Sequence, residues 1–430
     1  MRAWDADRIA AAAGARVARG AAAGPGRVVI DSREVGPGDL FVGLPGEHVD
    51  GGRFAGGALE AGAWGVLVAE SWEWDAVPAA GGDGGAVLVA ENPLLALQAL
   101  ARGWRRELGV PVIGVTGSVG KTSTKELLAA MLAPQRRVHA SRANFNTEIG
   151  LPLELLSAPP GTEVVVLELA MRAAGQIAEL AAIAEPDVGV ITNVGPVHLE
   201  RLGSIEAIAA AKAELLHGLR PGGTAIVPSD EPLLEGLLPD HVEVVRFGLD
   251  DPLPAGLELP FTAAHMLTNA RAAVCAAQAV GVQPAGVVEY VPPPLRGERV
   301  ALRDGGLLLN DCYNANPLSM RAALADLSTH TPDGRRMAVL GDMLELGPDE
   351  VALHREIGRA AQASGVEVLV TVGPLAAHML EAFGGEGHAV GDAAAAAQLA
   401  GRIAGPGDVV LVKGSRGVGL EVVAESLADV

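Results

Sequence analysis

The segment 112–126, VIGVTGSVGKTSTKE, holds the residue types of a phosphate-binding turn in the order strand, glycine loop, helix start. Gly117 and Gly120 let backbone N–H groups close around phosphate oxygens, and the helix N-terminus adds the positive end of its dipole. Lys121 supplies a cation for the β- and γ-phosphates, and the Thr122 hydroxyl is of the kind that ligates Mg2+. The general pattern of glycine, four residues, then Gly-Lys-Ser/Thr is met only in part, because Val115 stands at the first glycine position. The alternative is a plain strand-to-helix turn with a solvent-facing lysine. The strand before the loop and the helix after it favour phosphate binding.

Three further residues have side chains suited to the same chemistry. Glu168 ends the apolar run VVVLE, so its carboxylate emerges at the carboxyl edge of a sheet, where open α/β folds bind ligands. There it is a candidate Mg2+ ligand, or else an ordinary capping or solvated carboxylate. His198, in TNVGPVHLERLGS, falls in a loop at the same edge, where a histidine serves as a ligand or satisfies a backbone partner. Lys212 lies in the alanine-rich helical run AIAAAKAELL, and its spacing alone predicts a lysine facing water.

The elements that must position these groups follow from the pattern along 430 residues. Residues 27–91 alternate short apolar runs with Gly/Pro turns, as a small mixed α/β unit does. NPLLALQALARGWRREL, residues 92–108, predicts a connecting helix with an asparagine cap and a proline in the first turn. From 110 to 296, apolar strands alternate with Ala-rich helices, the signature of a parallel sheet covered on both faces. VPPPLRGER, 291–299, breaks regular structure and predicts a hinge, after which a second doubly wound unit follows. GDAAAAAQLAGRIAG, 391–405, predicts a helix. The fold class is α/β with three domains: a central P-loop parallel-sheet domain between a small mixed α/β domain and a Rossmann-like C-terminal domain, with length enough for separate cores.

Composition narrows the function classes. A content of 49% apolar and 20% charged residues is that of a globular chain. The net charge of −20 argues against broad nucleic-acid binding, which draws its affinity from Lys and Arg. Two cysteines, Cys275 and Cys312, make neither a disulfide framework nor a cysteine zinc site and suit a reducing cytosol. The N-terminus lacks the pattern of a signal peptide, and no apolar run reaches the length of a membrane span. The expectation is an intracellular, soluble monomer.

Taken together, the motifs resemble the Mur ligase family, the ATP-dependent amide-bond ligases of peptidoglycan precursor synthesis. TGSVGKTSTKE fits that family's TGxxGKT/S loop without the offset noted above. DSREVGPGDLFVGLPGEHVDGGRF (31–54) resembles its uridine-nucleotide segment. NFNTEIGLPLELL, LELAMRAAGQI, ITNVGPVHLERLGS, AKAELL, DCYNANPLSM, LGDMLELG and VKGSRG resemble successive blocks in the same order. YNANP points to the branch that joins D-alanyl-D-alanine to UDP-N-acetylmuramoyl-tripeptide, since the branch adding the third peptide residue carries a DNPR-type block.

The resemblance implies domains at 1–91 for the UDP-sugar, 92–296 for ATP and Mg2+, and 297–430 for the dipeptide and completion of the ATP site. It implies a phosphate site at Thr116, Gly117, Gly120, Lys121, Thr122 and Ser123, and a second Mg2+ at Glu168 and His198. Lys212 matches a lysine that some relatives carry as a metal-binding carbamate. Asn269 matches the asparagine near the nucleotide base, Asp311, Asn314 and Asn316 the block that closes over ATP, and Arg299 the hinge-following arginine, with Arg296 as the alternative. Ser32, Arg33 and Asn146 are the implied substrate contacts. Departures are Ala170 and Ala264 at usual glycine positions and a short stretch after residue 250. The rivals are a MurE-like or folylpolyglutamate synthase-like amide ligase, of which the latter should lack the DSREV…GDLF domain, and a nucleotide-dependent regulatory protein, which leaves DCYNANP without a purpose.

Overall fold

The computed structural model describes residues 1, 3–20, 23–46, 49–72, 85–142, 144–302 and 305–428. Glu47 and His48 of the 31–54 block lie outside the described residues. The N-terminal sheet has five strands in the order Arg16–Arg19, Ala86–Ala90, Gly65–Ala69, Leu40–Val42, Val28–Val29, with only the first pair antiparallel. The central sheet is parallel throughout, in the order Glu243–Phe247, Thr224–Pro228, Val188–Ile191, Val112–Thr116, Val164–Glu168, Val138–Ala140. Its inner strands are buried along their whole length because helices cover both faces, and they are apolar up to Thr116 and Glu168 at their carboxyl ends.

The predicted connecting helix spans Pro93–Leu108. Asn92 Oδ1 accepts from Leu94 N at 2.9 Å and Leu95 N at 3.2 Å, and Gly109 ends the helix at φ 63°. This helix does not separate two cores. One apolar cluster runs from Trp4, Ile9, Leu40 and Leu88 through Leu97 and Leu100 to Val112, Leu155 and Leu215. The helix also fixes the strand that bears the phosphate loop. Arg105, 3% exposed, reaches Asp187 Oδ2 at 2.6 Å, and that oxygen accepts from Val112 N at 2.9 Å. Asp187 keeps 29% of its side chain exposed, so losing either partner should cost less than the ~3–5 kcal/mol of a fully buried pair.

The C-terminal sheet begins with the antiparallel pair Glu298–Ala301 and Leu307–Asn310 and continues in parallel through Val409–Lys413, Arg336–Gly341, Val368–Val372 and Glu386–Val390. Its two core clusters contain only residues from Leu295 onward. The proline-rich segment before it carries no helix or strand from 288 to 297. Ala393–Ile403 is a helix capped by Asp392. The short stretch after residue 250 holds one two-residue strand, Leu257–Glu258, paired with Gly286–Val287. Both cysteines are free, and among the described residues no helix is long and apolar enough to cross a membrane.

Candidate active site

The phosphate loop leaves the central sheet at Thr116, the end of an inner strand. At Gly117, where φ is 149°, a Cβ would lie 1.9 Å from Thr192 Oγ1. At Gly120, where φ is 80°, it would lie 2.4 Å from Asn269 Oδ1. Both positions therefore require glycine. The neighbouring loop clamps this one: Val119 O accepts from Thr192 Oγ1 at 2.6 Å and Asn193 Nδ2 at 3.0 Å, while Val119 N donates to Asn193 Oδ1 at 3.0 Å. Ser118 Oγ accepts from Gly195 N at 2.8 Å. Lys121, first residue of the helix Lys121–Leu132, lays its Nζ on Gly117 O at 2.8 Å. Burial pushes the Lys121 pKa down, and the charge of Arg296 pushes the same way against Glu168.

Glu168 is buried at its strand end, with both oxygens engaged. Thr122 Oγ1 donates to Oε2 at 2.8 Å and Asn146 Nδ2 to Oε1 at 2.9 Å. His198 sits at φ 55° before the short helix Leu199–Leu202, and its Nδ1 bonds Glu345 Oε2 of the C-terminal unit. Burial lowers the His198 pKa more than Glu345 raises it.

Lys212 corrects the reading from spacing. It is 2% exposed in the helix Ile205–His217, and among the described residues none hydrogen-bonds or ion-pairs with its amine. Burial, reinforced by the charge of Lys121, pushes its pKa well below that of ordinary lysine. The helix is apolar nearly all round, so it packs on two sides and takes the lysine inside.

A cleft of about 920 Å³ lies between the central and C-terminal units. It is lined by Gly120, Lys121, Thr122, Ser123, Asn146, Glu168, His198 and Asn269 from one side and Arg299, Asp311, Asn314 and Asn316 from the other. Thr116, Gly117 and Lys212 are not in its lining, nor are Ser32 and Arg33. Ser32 and Arg33 follow the strand Val28–Val29 of the N-terminal unit, where Arg33 holds the carboxyl of Asp31 down to about 2. Asn316 has a structural task as well: it caps the helix Pro317–Thr329, its Oδ1 accepting from Ser319 N at 2.9 Å.

Of the two hinge arginines, Arg299 pairs with Asp326 at 3.4 Å, whereas Arg296 stacks 3.7 Å from the Tyr313 ring and bears on Lys121. Reading the sequence missed three cleft residues. Lys413, nearly buried, donates to Asp311 Oδ2 at 2.6 Å and Asn314 O at 3.0 Å; its signal was its place at the strand end in VKGSRG. His265 sits at the start of the helix Ala264–Ala279, across from Asp326 and Asp311. Arg172 lines the cleft with no ion pair among the described residues.

Comparison with known proteins decides the family. Residues 27–104 match the "Mur ligase family, catalytic domain", 115–257 the "Mur ligase middle domain" and 295–416 the "Mur ligase, glutamate ligase domain". The UDP-N-acetylmuramoyl-tripeptide--D-alanyl-D-alanine ligase of Bacillus subtilis (strain 168) is 37% identical, covering 94% of this chain and 93% of its own. The chain belongs to the Mur ligase family. Among solved structures, MurF from Acinetobacter baumannii superimposes with a TM-score of 0.87 at 28% identity, covering 99% of both chains. MurF from Thermotoga maritima in complex with ADP gives 0.82 at 29% identity, over 94% of this chain and 97% of its own. In this Mur ligase the middle-domain match takes in Lys121, Glu168, His198 and Lys212, and the C-terminal match takes in Arg299, Asp311, Glu345 and Lys413.

Proposed function

We propose that this Mur ligase uses ATP to join D-alanyl-D-alanine to a UDP-N-acetylmuramoyl-tripeptide, through an acyl phosphate, in peptidoglycan precursor synthesis. The observation that carries this reading is a phosphate loop facing the DCYNANP block across one cleft, in a chain similar end to end to a ligase named for that reaction. The tripeptide's terminal carboxylate attacks the γ-phosphate, forming the acyl phosphate and releasing ADP. The dipeptide amine then attacks the acyl carbon; the C–N bond forms, phosphate leaves and the amine gives up its proton.

The chain's part in both steps is to position the reactants and counter their charge. Lys121, held over the loop by Gly117 O, offsets charge on the transferring phosphoryl group. Thr192 and Asn193 keep the loop's N–H groups in register, Asn269 borders the base, and Arg296 and Arg299 approach from the hinge. Asp311, paired with Lys413, lines the opposing wall. Ser32, Arg33 and Asn146 take the nucleotide-linked substrate.

Thr122 suits one Mg2+, and Glu168 with His198 a second: the Thr122 hydroxyl bonds the Glu168 carboxylate at 2.8 Å, and all three side chains line the cleft. No group of three His, Cys, Asp or Glu side chains that could hold a metal occurs among the described residues. A buried Lys212 amine without an acid partner is suited to take up CO2 as a carbamate and supply the missing anionic oxygen. Bound Mg2+ would neutralise phosphoryl oxygens as charge develops. Residues 1–91, 92–296 and 297–430 are the working domains, and the chain acts as a cytoplasmic monomer, a compartment that its two free thiols suit.

ADP release tests the reading. Sustained release should require UDP-muramoyl-tripeptide and D-alanyl-D-alanine together, because an acyl phosphate that no amine captures gives its phosphoryl group back to the ADP beside it. Faster turnover with single amino acids would overturn the substrate assignment, and hydrolysis indifferent to both would overturn the ligase.

A further inference from the structure

Two of the four non-glycine residues with positive φ among the described residues, His198 at 55° and Glu345 at 61°, face each other across the boundary between the central and C-terminal units. A left-handed backbone is strained for such residues, and it persists where the surroundings over-determine it. Their side chains are joined through His198 Nδ1 and Glu345 Oε2, and Glu200 N donates to Glu345 O at 3.4 Å. Glu345 cannot follow the central unit on its own. Its loop is pinned to the C-terminal sheet by Leu344 N on Ser415 Oγ at 3.0 Å, Met343 N on His354 Nε2 at 3.0 Å, and the buried Leu346.

We propose that Glu345 is a positioning residue for His198, and that docking of the C-terminal unit is what orients the imidazole for ligation. A carboxylate accepting from Nδ1–H fixes the tautomer in which Nε2 carries the free lone pair, and His198 lines the cleft. Because the acceptor arrives from the other unit, an undocked chain has His198 unoriented. Metal loading at His198 and closure are then one event, which restrains phosphoryl transfer until the dipeptide-bearing unit is in place. The inference rests on His198 as a metal-facing residue in the proposed function.

The test is Mn2+ binding to the full chain with a non-hydrolysable ATP analogue, followed by electron paramagnetic resonance, in wild type, Glu345→Ala and Glu345→Gln. The analogue's own affinity is measured in parallel. Outer hydrogen-bond partners of metal ligands contribute 10–100-fold, so Glu345→Ala should weaken the second Mn2+ by about that factor. Analogue affinity and Tm should stay within about twofold and a few degrees of wild type. Glu345→Gln, whose amide oxygen still accepts from Nδ1–H, should recover most of the Mn2+ affinity. A second Mn2+ held by Glu345→Ala as tightly as by wild type overturns the proposal, as does a loss of analogue affinity equal to the Mn2+ loss. Failure of the ligase reading would show separately, as wild-type ADP release that ignores both substrates.

Discussion

Gly117→Ala replaces a hydrogen with a methyl group at the point where two loops touch. The new Cβ would lie 1.9 Å from Thr192 Oγ1, and reaching ordinary contact requires a retreat of about 1.5 Å. Thr192 can move only by giving up its 2.6 Å bond to Val119 O, a cost of roughly 1–3 kcal/mol for a group left unsatisfied. The other course shifts the phosphate loop itself, and a displacement of ~1 Å in a positioned site costs about 10²-fold in rate. The φ of 149° adds strain for any side chain. We expect kcat/KM for ATP to fall by roughly two orders of magnitude, with a Tm drop of only a few degrees because the core strands are untouched. Gly117→Ala with Thr192→Ala removes the worst contact but leaves the 3.1 Å approaches to Thr192 Cβ and N and the φ strain, and should recover part of the ADP affinity measured by calorimetry. Wild-type turnover in the single variant, or no recovery in the double, would refute the idea that this contact sets the loop.

Further outcomes follow from other residues. Lys121→Ala should lower kcat by ~10²–10³-fold in the ADP-release assay while the circular dichroism spectrum stays unchanged. Lys212→Ala should lose activity that short carboxylic acids partly restore, whereas Lys212→Met should melt higher than wild type in CO2-free buffer near pH 7. The sign follows from proton count: with its folded pKa below the unfolded value, the lysine binds fewer protons when folded, so wild-type stability is gained as pH rises through that window. The Met advantage should therefore shrink towards pH ~10, and a constant gap would exclude the lysine as its source. Arg172→Ala should raise KM for the UDP-linked peptide by about 10–100-fold with KM for ATP unchanged, measured by initial rates; equal shifts in both would place the arginine elsewhere in the mechanism.

The α/β alternation was legible because parallel strands buried on both faces read as unbroken apolar runs, and Glu168 stands where such a run ends. The cap at Asn92 and the break through 291–297 follow from local chemistry that needs no tertiary context, whereas Glu298 and Arg299 already belong to a strand. Lys212 was misjudged from spacing for the opposite reason. Burial of one position on an alanine-rich helix is decided by what packs against it, and that lies in other segments. Glu345 and Lys413 escaped for the same cause, since each meets its partner across about a hundred residues or more of chain. The shared core of the first two units is likewise invisible to a boundary drawn from composition, because both sides of Pro93–Leu108 are apolar.

That shared core has a mechanical consequence. Two bodies welded through one helix keep a constant separation, so in the proposed function the distance from Ser32 and Arg33 to the phosphate loop would act as a fixed gauge along which an extended nucleotide-linked peptide is measured. The part beyond residue 297 has interior packing of its own, so it would move as a jaw once its contacts to His198 and Glu200 are released. Chemical denaturation should then show two transitions rather than three, with the jaw melting independently of the gauge. Under that proposal a substrate one peptide residue too short should leave its carboxylate short of Lys121 however firmly the jaw closes, and length selection would belong to the welded pair and amine selection to the jaw.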